Sequence, residues 1–201
     1  MFKIAVLISG NGSNLEALID ACQKNLINGS IDLVISNNPN AFGIVRAKNH
    51  SINYKIINHV KFQSREDFDQ ALVDALKVSK PDLVVLAGFM RILTPVMTKA
   101  FKNKIINIHP SLLPKYPGLD THNSVIKNGD LKHGITIHYV NEVLDGGEII
   151  AQGEISLSTN ETLEDLKARI HSIEHVMLPK VVSKFADGTI NTKKIIYEKF
   201  K

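Results

Sequence analysis

The chain has 201 residues and a formal net charge of +4, from 24 basic and 20 acidic side chains. Apolar residues make up 44% and charged residues 22%, with 12 glycines and 7 prolines, which excludes disordered, collagen-like and disulfide-scaffold classes. The single cysteine, Cys22, cannot pair within the chain and excludes a zinc site built on several thiolates.

Lys193, Lys194, Lys199 and Lys201, against Glu198, place most of the positive excess at the C-terminal end. The remaining body is nearly neutral, unlike the basic footprint of a nucleic-acid binder. No run is long enough to span a membrane. Phe2 to Ile8 is apolar apart from Lys3, and Gly10-Asn11-Gly12 ends it without a small-x-small cleavage site, so it reads as a buried first strand. One free cysteine makes the cytoplasm the expected compartment.

Short apolar runs then alternate with helical patterns. Ile4–Ile8, Leu33–Ile35, Tyr54–Ile57, Leu83–Ala87 and Ile105–Ile108 read as buried strands. Leu15, Leu18, Ile19 and Cys22 recur at helical spacing, as do Phe68, Leu72, Ala75 and Leu76 after Ser64. Thr94-Pro95 is a helix-starting pair. Ile135, Ile137 and Tyr139 alternate with polar neighbours except Val140, and Glu148–Ile155 reads as a further strand. A long helix carries Leu163, Leu166, Ile170, Ile173 and Met177 until Pro179, which is expected to bend or break it. The pattern predicts one α/β domain: a mostly parallel central sheet with helices on both faces.

Two places carry chemistry. After the first strand comes Gly10-Asn11-Gly12-Ser13-Asn14-Leu15, then a helix for which Ser13 and Glu16 have capping-box spacing. Glycines let a backbone approach a ligand closely, and free N–H groups at a helix start attract phosphate. Leu15 replaces the third glycine of the dinucleotide fingerprint, and the second strand ends in Asn37 and Asn38 rather than an acid. A monophosphate is therefore expected in preference to a dinucleotide.

Strand five ends Asn107-Ile108-His109-Pro110, which puts Asn107 and His109 on one face at the carboxyl end of the sheet, where ligands bind. A carboxamide there can donate to a developing oxyanion, and an imidazole can move protons near neutral pH. Asp145, in the turn Leu144-Asp145-Gly146-Gly147, offers a carboxylate to hold the histidine.

Asn107-Ile108-His109-Pro110-Ser111-Leu112-Leu113-Pro114 resembles the active-site signature of the folate-dependent formyltransferases. The longer match through Lys115-Tyr116-Pro117-Gly118 resembles the branch acting on phosphoribosylglycinamide. So do Ile8 to Leu15, Ala87-Gly88-Phe89-Met90-Arg91-Ile92-Leu93 and Leu144 to Gly147. The resemblance implies formyl transfer from 10-formyltetrahydrofolate, as cosubstrate and without a metal, to the glycinamide amine of 5-phosphoribosylglycinamide, in purine synthesis. It implies Asn107, His109 and Asp145 as the catalytic three, and Gly12, Ser13, Asn14 and Glu174 as contacts of the ribonucleotide. It implies Arg65, Met90, Arg91, Ile92, Leu93, Asn107 and Asn141 as contacts of the folate. The implied domain is 1–190, with 191–201 a short basic tail. Asp120 stands where some family members carry a histidine, which bears on local contacts near the ribonucleotide.

Rival readings exist. His171-Ser172-Ile173-Glu174-His175 matches the H-x-x-E-H zinc motif, whose third ligand would have to be Asp187 or Glu198. Formyltetrahydrofolate deformylases usually carry an N-terminal regulatory domain, and methionyl-tRNA formyltransferases a C-terminal RNA-contacting one. Neither is expected here, and the near-neutral body argues against tRNA. A plain nucleotide-binding module would leave Asn107, His109 and Asp145 without employment. Small molecules are the expected partners. His122, His133 and His138 carry no assignment.

Overall fold

The computed structural model describes residues 1–158, 161–191 and 194–201; Lys193 of the basic terminus lies outside them. Five strands, β1 (Phe2–Ile8), β2 (Gly29–Ser36), β3 (Tyr54–Ile56), β4 (Leu83–Leu86) and β5 (Ile105–His109), pair in parallel in the order β3-β2-β1-β4-β5. β6 (Lys132–Tyr139) runs antiparallel to β5 and to β7 (Ile149–Ser156), and β8 (Ile196–Phe200) closes the far edge parallel to β7.

Alternation along the strands feeds two apolar layers. Ile4, Val6, Ile8, Leu83 and Val85 face α1 (Ser13–Gln23) and α6 (Leu163–Ala186). Ala5, Leu7, Val84 and Leu86 face α3 (Arg65–Ser79) and α4 (Pro95–Ala100). The sheet is thus covered on both faces, as its near-continuous apolar runs require. Tyr54–Ile56 departs from the expectation of burial, because β3 is an edge strand and its three residues are exposed.

The predicted starts of α3 and α4 form as caps. Ser64 accepts from the Asp67 amide, and Thr94 accepts from the Val96 amide with Pro95 in the first turn. The Ser13–Glu16 box does not form. α1 starts after Gly12 at φ 75° with no side-chain cap, and Glu16 turns instead to Arg46 and His50. Two short helices, α2 (Phe42–Asn49) and α5 (Thr121–Lys127), had no clear periodic signal.

α6 runs through Pro179 to Ala186 without breaking. Met177, Leu178, Val181 and Val182 are buried on either side of the proline. Their burial, at about 1.5–3 kcal/mol per side chain, outweighs the cost of about 3 kcal/mol for a helix-interior proline. The expected C-terminal tail contains β8. Ile196 and Phe200 alternate onto the core, the Tyr197 hydroxyl donates to Glu154, and Lys180 pairs with Glu198.

From β1 the chain goes to β2 on one side and returns to β4 on the other. The loops leaving β1 and β4 therefore part at the carboxyl end of the sheet, where an open α/β fold has its ligand crevice.

Candidate active site

The loop after β1 is shaped by contact with α2. The Gly43 amide donates to the Gly10 carbonyl at 3.1 Å. A Cβ on Gly12 would lie 2.7 Å from Gly43 Cα, so both positions need glycine for this approach, and Gly12 also has positive φ. The first amides of α1 have no side-chain cap and remain available to an anion.

Asn14, though only 8% exposed, keeps its Oδ1 without a hydrogen-bond partner among the described residues; its Nδ2 donates to Glu174 Oε2 at 2.9 Å. Burial pushes the Glu174 carboxyl up to about 7, against the lowering effect of that hydrogen bond. Glu174 thus faces the loop, while the His171 and His175 rings stack on each other at 6.3 Å. Among the described residues no group of three His, Cys, Asp or Glu side chains is placed to hold a metal ion.

The loop is tied to the segment after β4. Ser9 N donates to Gly88 O at 3.1 Å, and Met90 N donates to Ser9 Oγ at 2.7 Å. Met90 and Ile92 are 62% and 52% exposed, whereas Leu93 is buried in the layer under α3 and α4. Arg65, at the start of α3, donates to Ile92 O at 2.7 Å. It lines a small cavity of about 170 Å³ with Arg91, His59 and Phe62. A larger cavity of about 860 Å³, between α1 and α6, is lined by Ser13 at the start of α1 and by Arg46 of α2, but not by the polar trio.

The trio comes together. Asn107 and His109 lie on β5, and Asp145, at φ 50°, enters from the β6–β7 turn. His109 Nδ1 is 3.4 Å from Asp145 Oδ2, and Asn107 Nδ2 is 3.5 Å from Asp145 Oδ1. The loop after β5 holds both partners. The Tyr116 carbonyl accepts from His109 Nε2 at 2.8 Å, and the Gly118 amide donates to Asp145 Oδ2 at 2.7 Å. Burial alone would push the Asp145 carboxyl up. The His138 hydrogen bond, the Gly118 amide and the charges of His109 and His138 outweigh it and hold the group below its ordinary value. Asn141 orders the same turn, donating to Gly146 O and accepting from Val143 N.

His138 is the residue that sequence reasoning left out. Register places it directly opposite Asn107. Its Nδ1 donates to the Tyr139 carbonyl at 2.8 Å, and its Nε2 lies 3.2 Å from Asn107 Nδ2 and 3.6 Å from Asp145 Oδ1. His138 therefore touches both the carboxamide and the carboxylate of the trio. Only strand register, which the sequence does not display, identifies it. His122 and His133 bond to each other at 3.0 Å, and burial pushes both down to about 4.

A family model described as formyl transferase matches residues 2–182. The chain belongs to the formyl transferase family. It is 46% identical to the phosphoribosylglycinamide formyltransferase of Escherichia coli K12 over 188 residues, covering 94% of this chain and 89% of that one. The Haemophilus influenzae enzyme of the same name is 45% identical over 193 residues, covering 96% and 91%. The solved structure of the Coxiella burnetii phosphoribosylglycinamide formyltransferase superposes with a TM-score of 0.89 at 45% identity, over 93% of this chain and 88% of that one. Family membership therefore rests on nearly the whole chain, not on the short motifs alone.

Proposed function

We propose that this formyltransferase moves the formyl group of 10-formyltetrahydrofolate to the glycinamide amine of 5-phosphoribosylglycinamide, in purine synthesis. The observation that carries the reading is the joining of two half-sites at one end of the sheet. The uncapped helix start at Gly12–Asn14, backed by Glu174, suits a ribose phosphate. The Asn107–His109–Asp145 cluster suits acyl transfer. Gly12, Ser13, Asn14 and Glu174 would hold the ribonucleotide. Exposed Met90 and Ile92, with Arg65, Arg91, Leu93, Asn107 and Asn141, would receive the folate: apolar side chains for a flat ring and arginines for its carboxylates.

In the reaction the neutral amine attacks the formyl carbon, and the carbonyl oxygen becomes an oxyanion. The long Asn107–Asp145 contact is the one this oxygen would replace, since Asn107 Nδ2 already points there. In its protonated form His109 finds an acceptor at each ring nitrogen, Tyr116 O and Asp145, and its charge would offset the oxyanion. The tetrahedral centre then breaks its bond to the folate nitrogen. That nitrogen gains a proton as the former amine loses one, with Asp145 and His109 beside the path. The chemistry needs no metal.

The substrates are small molecules, and the compartment we assign is the cytoplasm. No helix among the described residues is long and apolar enough to cross a membrane. Mixing purified protein with both substrates should yield the N-formyl glycinamide ribonucleotide, read by mass spectrometry. Formate without that product would make the protein a hydrolase of the formyl donor.

A further inference from the structure

One guanidinium brackets the Gly12–Asn14 segment from both sides. Arg46, on α2, donates through Nε to the Asn11 carbonyl and through Nη2 to Asn11 Oδ1, both at 3.0 Å. Its Nη1 donates to Glu16 Oε2 at 2.9 Å. Asn11 precedes the three residues and Glu16 closes the first turn after them. The planar group is further fixed by stacking over Phe42, with its carbon 5.0 Å from the ring centre.

Glu16 is kept in the form this clamp needs. Burial would raise its carboxyl, but the hydrogen bonds from Arg46 and His50 hold it below its ordinary value. His50 takes the other carboxylate oxygen at 2.7 Å, so Glu16 is pinned from two residues of α2 and its end. This also accounts for the missing capping box, since the side chain spaced for that cap is spent on Arg46.

We propose that Arg46, acting with Glu16, is a positioning residue for phosphate recognition: it holds the amides of residues 12–14 in the arrangement that receives the anion, without touching it. The inference rests on the phosphoribosylglycinamide reading above for its substrate, and on geometry alone for its anion. Three of the five N–H groups of Arg46 already serve Asn11 and Glu16, and among the described residues no hydrogen bond or ion pair connects it to Asn107, His109, His138 or Asp145. A fork that spans three acceptors cannot be replaced by a point charge. Loss of the clamp should therefore act on the phosphorylated substrate and leave chemistry at saturation alone.

The test compares wild type, Arg46→Met and Arg46→Lys. For both variants KM for phosphoribosylglycinamide should rise by about tenfold or more, with kcat and KM for the formyl donor within about twofold of wild type. Inorganic phosphate, titrated calorimetrically against the unliganded proteins, should weaken by a similar factor. Restoration by lysine would mean direct attraction by charge and would overturn the proposal, as would unchanged phosphate binding in Arg46→Met. If Arg46→Met does not fold, Glu16→Gln, which keeps the shape and removes the charge, should give a smaller rise in the same constant alone. A rise in both Michaelis constants together with a fall in kcat would mark a merely structural arginine. Should wild type bind phosphate but transfer no formyl group, the functional reading fails while the clamp is still decided by the phosphate titration.

Discussion

Asp145 takes its hydrogen bonds from two directions, an amide of the loop after β5 and the side chains of β5 and β6. Removing its charge or the imidazole of His109 should leave the fold intact, because both sit at the sheet's end and not in its apolar layers. His109→Ala and Asp145→Asn are each expected to lose on the order of 10²-fold or more in turnover, with an unchanged circular dichroism spectrum. Wild-type turnover in either would remove that residue from the mechanism. Glu174 gives a prediction of opposite kind. Its carboxyl lies near 7 in the folded chain against an ordinary 4.5, so the folded state holds the proton more tightly than the unfolded one. Stability should fall as pH rises from about 4.5 to about 7 and level off above. Glu174→Gln should then gain on the order of 3 kcal/mol at pH 8 and little at pH 4, while binding the ribonucleotide more weakly. Equal gains at both pH values would contradict the burial argument. Of these residues, Asn107, His109 and Asp145 were legible as types at a strand end and in a glycine turn. His138 was not, because a histidine on an alternating strand looks the same whichever strand it faces.

At the scale of elements, legibility followed the range of the interaction. The first five strands and the caps of α3 and α4 are written in local pattern, and they form where expected. The Ser13–Glu16 cap is local too, yet a stronger partner 30 residues away takes Glu16. Pro179 would break an isolated helix, and the core on both sides of it holds α6 together. β8 was hidden for the same reason. Its lysines suggest a solvated tail, and only pairing with β7 and the seats of Ile196 and Phe200 make it a strand. Ending the chain after Gly188 should expose the β7 edge and lower Tm by roughly 5 °C or more. Turnover per folded molecule should stay within about twofold, since β8 contributes nothing to the trio or the loop. A large loss of kcat at unchanged Tm would mean that this edge reaches the site.

For the whole molecule, the strand order is what turns scattered motifs into one site. Gly12 and Met90 follow β1 and β4, and Asn107 lies on β5; the three strands are successive neighbours, so these residues meet at one end of the sheet. Asp145 joins them from another direction: β6 runs antiparallel to β5 and ends opposite Ile106, and the long β6–β7 turn folds back until its carboxylate meets Asn107 and His109. That reversal is a property of pairing, and no periodicity within β6 announces it. The central claim is that this single end binds a phosphorylated amine and passes it a formyl group. The most direct measurement follows loss of formyl from 10-formyltetrahydrofolate with and without 5-phosphoribosylglycinamide. Formyl loss that depends on the amine, and matches the N-formyl product mole for mole, is the predicted result. Equal loss without the amine would make water the acceptor and contradict the account.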